Sequence, residues 1–141
     1  MSLLLLFATP APWQSTLTAT ARRLAAEGHS EVAVVTALMA CETASERAFA
    51  YWFHKHGVAQ LEDPITELFP SYSLANDRVR KVYGALSGDK IHEQAFWPQF
   101  KETAKLRGNV VHRGSRATPA EAEAACESAE ALTNHLAWAA K

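Results

Sequence analysis

Much of what organises small proteins is scarce in this chain. It has two cysteines in 141 residues, Cys41 and Cys126. Two thiols make neither a disulfide framework nor a metal site, and they fit a reducing interior. No apolar stretch approaches the roughly 20 residues of a membrane span. Residues 1–8 are apolar, yet no Lys or Arg precedes them and the run stops at Thr9-Pro10. A secretory signal needs a basic segment ahead of about 7–15 apolar residues. A cytoplasmic protein is therefore expected, away from membranes, with its first residues packed on a surface. Period-2 alternation and Asn-Gly or Asp-Gly turns are missing, which excludes hairpin-built sheets. The net charge of −1 excludes a protein that holds polyanions by bulk charge. There is no internal repeat and no low-complexity segment.

What is present reads as helices. Apolar residues make up 48% and charged residues 21% of the chain, as in a soluble globular domain. A single domain over 1–141 buries roughly 68% of its unfolded surface, enough to fold without metal or disulfide. The first helix is expected over 10–27, capped by Thr9 and stopped by Gly28, with Trp13, Leu17, Ala21 and Leu24 on one face. The second is expected to be capped by Ser30 and ended by Gly57. Val32, Val35, Met39, Phe49 and Phe53 form its stripe, which Glu42 and Glu46 interrupt. A buried carboxylate needs solvent or a cation. Residues 58–73 read as irregular. Ala75, Val79, Val82 and Leu86 mark a short helix closed by Ser87-Gly88. Another helix begins near Trp97, because Pro98 is tolerated only in a first turn. The last starts at Thr118-Pro119-Ala120-Glu121, a capping box with proline at the first helical position. Its Ala122, Cys126, Ala129, Leu132 and Leu136 face a core. The expected fold is all-α: a bundle of four main helices in two hairpins, with one short helix between them.

Chemistry concentrates at 101–116. Lys101, Lys105, Arg107, Arg113 and Arg116 stand there against Glu102 alone, while 119–141 is acidic. A basic patch on a near-neutral protein suits a phosphate backbone; it also suits a solvated helix end that complements the macrodipole. Arg107 lies in line with Phe100, Ala104 and Val111. His112 follows about 140° round and ~7.5 Å along the helix, so the guanidinium is expected to reach back towards the imidazole. Arg grips phosphate oxygens and stabilises developing charge, and His moves a proton near neutral pH. RNA brings its own nucleophile, the 2′-OH, so no metal or other cofactor is needed and DNA is not an expected substrate.

Arg107-Gly108-Asn109-Val110-Val111-His112 resembles the R-x4-H signature of the HEPN superfamily. The long helix with Glu42 at its middle and the capped final helix are similar to that family too, so the likeness spans nearly the whole chain. It implies a HEPN-like bundle and a metal-independent endoribonuclease in a toxin–antitoxin or phage-defence setting. It further implies a homodimer whose two motifs line one cleft, with an antitoxin or defence protein as a further partner. His112 would be the acid/base residue and Arg107 the phosphate-binding one. Asn109, Glu42 and Glu46 would support them, and Lys105, Arg113 and Arg116 would hold RNA. Two positions depart from the family pattern. Gly108 stands where many catalytic members carry a polar residue, and Gly114 replaces the Tyr of one toxin subgroup.

Two other readings stay open. One is a non-catalytic module that binds RNA, a nucleotide or a protein. The other is structural, with Arg107 bridging to Glu42 and His112 capping a helix end. His54 and His56 lack the spacing or third ligand of a metal site. His29, His92 and His135 read as surface or interface residues. Tyr51-Trp52-Phe53 and Phe96-Trp97 could stack on bases, but at helical spacing they fit a core or interface better.

Overall fold

The computed structural model describes residues 13–140. The expected cap at Thr9 and the apolar segment 1–8 lie outside them. Among the described residues there are six α-helices and no strand. They are α1 (Trp13–Ala26), α2 (Ser30–Lys55), α3 (Glu62–Thr66), α4 (Asp77–Ser87), α5 (Trp97–Arg113) and α6 (Pro119–Ala139), with short 3₁₀ turns at Ala59–Leu61 and Ile91–Glu93. None is long and apolar enough to cross a membrane.

The 26-residue α2 is the central element, packing against α1, α5 and α6. α1 forms one hairpin with it and α5 forms another with α6; α1 also meets α6. The four main helices thus form the expected bundle, with α4 between the hairpins in the chain. Left-handed glycines close both turns: Gly28 at φ +86° after α1 and Gly114 at φ +66° after α5.

Alanine shapes the core. Ala33, Ala37, Ala44 and Ala48 of α2 join Ala122, Ala125 and Ala129 of α6 in one buried cluster, where small side chains permit close helix approach. Cys41 and Cys126 sit in the same cluster, and burial pushes both thiols up from their ordinary pKa. This corrects the stripe expected on α2. Val32 and Met39 are 53% and 45% exposed, and the buried face runs instead through Ala33, Val34, Ala37, Leu38 and Cys41. Phe49 and Phe53 are buried as expected, and Phe49 anchors an aromatic group with Phe69, Tyr72 and Tyr83.

Two polar devices hold helices together. Arg22 of α1 donates from Nε and Nη2 to both carboxylate oxygens of Glu130 on α6, at 2.9 and 2.8 Å, and from Nη1 to Glu123. This fork holds the Glu130 carboxyl below its usual range. In the second, Asp89 accepts from the Tyr83 hydroxyl at 2.7 Å and pairs with His135 at 2.7 Å. His135 is therefore a packing residue, its side chain only 11% exposed, and not a surface one.

Local signals set most helix ends, but Ser30 is not the cap expected of it: it is the buried first residue of α2, and the cap residue His29 makes no side-chain hydrogen bond there. Asn76 caps α4, its side chain accepting from the N–H groups of Arg78 and Val79. At α6 the capping box is complete: Thr118 accepts from the Glu121 N–H while Glu121 accepts from the Thr118 N–H. Replacing Thr118 with Ala should cost about 1 kcal/mol, read as a lower urea midpoint at unchanged m-value. An unshifted midpoint would show that α6 is held by packing alone.

Candidate functional site

Glu42 lies mid-way along α2, on a face that α5 crosses. Its carboxylate accepts a hydrogen bond and an ion pair from Arg107 of α5, both side chains being about three-quarters buried. Eleven residues towards its start, α2 presents Glu31, which takes Arg116 at 3.3 Å and the Ala117 N–H at 2.9 Å. A later residue of 107–117 thus meets an earlier residue of α2, so α5 runs antiparallel to α2 in a fixed register. The guanidinium of Arg107 is directed across to α2. It does not reach back to His112, contrary to expectation, because it is committed to the Glu42 carboxylate across the helix interface.

His112 occupies the last turn of α5. It is exposed and makes no hydrogen bond or ion pair among the described residues. Arg113 beside it is exposed as well. Val111, expected on a buried stripe, is 51% exposed.

An open groove of about 500 Å³ lies beside the Arg107 and Glu42 pair, between α2, α5 and the 71–76 segment that leads into α4. Lys101, Lys105 and Gly108 line its α5 wall; Ser71, Ser73 and Asn76 line the opposite one. Lys101 crosses the gap, donating from Nζ to the Ala75 carbonyl at 2.9 Å. A second groove of about 340 Å³ lies on the other side of α5, against α6. Asn109 lines this second groove, away from Arg107's, and Lys105 borders both.

The residues expected at the site thus divide. The fold brings Arg107, Glu42 and Lys105 together. It leaves His112 and Arg113 at the open end of α5, turns Asn109 to the far side and ties Arg116 to Glu31. Glu46 does not join Arg107: it is exposed, and its charge repels Glu62. Sequence reasoning missed the 71–76 wall. The Asn76-Asp77 pair before Val79 is a recognisable helix start, but nothing in its spacing shows that it faces α5. Among the described residues, no group of three His, Cys, Asp or Glu is placed to hold a metal ion. Of the aromatic candidates, Phe53 is core, and Trp52, Phe96 and Trp97 pack against the core. Lys55 covers the rings of Tyr51 and Trp52.

Compared with known proteins, the chain matches no family model, and no curated protein or solved structure is found to be similar to it.

Two predictions follow from this electrostatic layout. Glu42→Gln removes the charge opposite Arg107 and should destabilise the fold by about 1–3 kcal/mol, measured by urea unfolding. A variant that unfolds like the parent would remove the pair from the stability of the bundle. Glu62 behaves in the opposite sense. Burial, then repulsion from Asp63 and Glu46, pushes its carboxyl up. A raised carboxyl favours the fold in acid and costs stability as pH rises through the folded value. Glu62→Gln should therefore be more stable than the parent at about pH 7 and lose that advantage below about pH 4, the range of an unfolded Glu. Equal urea midpoints at both pH values would contradict this.

Proposed function

We propose that this chain is a metal-independent endoribonuclease of HEPN type, acting as a homodimer in a toxin–antitoxin or phage-defence setting. One observation carries the reading. On α5, a cation is held in place by a carboxylate, and five residues later a histidine stands exposed and uncommitted at the helix end. An anchored Arg has little freedom left to lose on gripping a phosphate. A free imidazole is available to a 2′-OH.

In the proposed reaction, His112 accepts the 2′-OH proton as the 2′-oxygen attacks the adjacent phosphorus. The new 2′-O–P bond forms and the P–O5′ bond breaks. A second imidazole donates a proton to the departing 5′-oxygen, and Arg107 stabilises the charge on the phosphoryl oxygens. The products are a 2′,3′-cyclic phosphate and a 5′-hydroxyl. One chain carries one such histidine, so a second copy supplies the other. Support for pairing comes from exposed apolar side chains at helical spacing from the site. Val32 and Met39 stand on α2 in line with Glu42, and Val111 stands on α5 one turn beyond Arg107. Lys105 and Arg113 would meet the RNA backbone. Arg116, paired with Glu31, would contribute less.

The second reading is a binding module without turnover. It is favoured by the same ion pair, which occupies Arg107 in the absence of RNA, and by the missing polar side chain at Gly108.

His112→Ala should lower cleavage of a single-stranded RNA about 10²–10⁴-fold and Arg107→Ala about 10²–10³-fold. The His112 variant should unfold like the parent. Both variants cleaving at the parent rate would end the nuclease reading. A parent that shifts RNA in a gel and never shortens it would select the binding module.

A further inference from the structure

The groove beside Arg107 has a chemistry that the cleavage reading leaves unused. Its rim is rich in hydrogen-bond donors. The Asn76 Oδ1 is committed to the Arg78 and Val79 N–H groups, which leaves the two Nδ2 hydrogens to donate. Ser71 and Ser73 accept from backbone N–H groups of their own segment, which leaves each hydroxyl a hydrogen to donate. Lys101 spends one of its three hydrogens on the Ala75 carbonyl, and Lys105 spends none among the described residues. The Glu42 carboxylate is neutralised by Arg107, so Glu102 is the one acceptor charge facing the two lysines. The floor is apolar, formed by Leu38, Ala75 and Ala104. A ligand that fits is flat and apolar on its faces, and rich in acceptors and negative charge at its edge. A nucleotide unit, base plus phosphate, has that chemistry, and about 500 Å³ is ample for one.

Gly108 keeps the groove open. It sits in helical backbone on the groove wall, and a Cβ built on it meets nothing within 4 Å. A helix disfavours glycine relative to alanine, and neither packing nor a turn requires it here. The missing side chain is instead the space into which a larger residue would project, since helical side chains lean back over the preceding turn, towards Ala104 and Lys105.

We infer that the groove between α2, α5 and the 71–76 segment is a nucleotide subsite, kept open by Gly108, that seats a base against Leu38 and Ala104 with its phosphate between Lys101 and Lys105. This rests on the reading that the chain handles RNA, and it adds the place where a nucleotide flanking the cleaved bond is held.

The test uses His112→Ala protein, so that no probe is consumed, and follows a fluorescent RNA of about 12 nucleotides by anisotropy. Adding Gly108→Leu should leave helical content and melting temperature unchanged or higher, yet weaken binding at least about tenfold, the scale of one lost base contact. Gly108→Ala, smaller than the space, should bind within about twofold of the parent. The double variant Lys101→Ala, Lys105→Ala should weaken binding and reduce the salt slope by about 0.7, the share of one phosphate. Lys81→Ala, an exposed cation on α4, should leave both unchanged. Cytidine 5′-monophosphate as competitor separates the two sources of the nucleotide. Needing at least about tenfold more of it than of unlabelled RNA identifies the strand, and parity identifies a free nucleotide. A folded Gly108→Leu protein that binds RNA like its parent overturns the subsite. That result leaves the nuclease reading untouched if the same substitution in the His112-containing protein still cleaves. If the parent binds through this groove and never cleaves, the nuclease reading fails and the subsite stands.

Discussion

One carboxylate sets the geometry of the candidate site. Glu42 lies on a helix whose neighbouring faces are closed by other helices, and a charge so placed must be neutralised or solvated. Arg107 neutralises it, and the pair fixes how α5 lies on α2. Once that register is set, Glu31 falls opposite the loop after α5 and holds Arg116 and the Ala117 N–H. Lys101 falls within reach of the Ala75 carbonyl. The same register leaves the last turn of α5 beyond the edge of the contact, so His112 and Arg113 stay in solvent. Position along α5 therefore decides which cations already hold a partner: Arg107, Lys101 and Arg116 do and keep further N–H donors, while Lys105, His112 and Arg113 hold none among the described residues.

Charge is arranged so that the near-zero total hides a division of the surface. The acidic face of α6 does not act as an open anionic patch, because Arg22 forks onto Glu130 and reaches Glu123. The basic stretch of α5 is reduced in the same way by Glu42 and Glu31. What remains for a polyanion is a short edge, not a broad field. Binding there depends on shape and on specific donors more than on long-range attraction.

Features encoded by neighbouring residues were legible in the sequence. The capping box at Thr118, the proline-led start near Trp97 and the glycine stops at 28 and 114 each depend on a few adjacent positions, and the structure has them all. The all-α bundle followed from these and from the missing strand signals. The partner of Glu42 was legible in part, because an acid interrupting an apolar face demands a cation. The face itself was misread. α2 is apolar almost all round, and bulky Val32 and Met39 outweighed the small Ala33 and Ala37 that the core uses for close packing. Contacts that span the chain left no trace in spacing. Asp89 meets His135 across 46 positions, and the 71–76 wall of the groove has no periodicity to betray it.

The two thiols have a consequence of their own. Cys41 and Cys126 are buried, and both are harder to ionise than a free cysteine. A thiol that stays protonated and sealed from solvent reacts slowly with oxidants, alkylating agents and other thiols. Both thiols are thus poor targets for oxidation or exchange while the bundle stays folded. A single cysteine introduced on the surface would be the preferred point of attachment for a probe, with both native ones left in place.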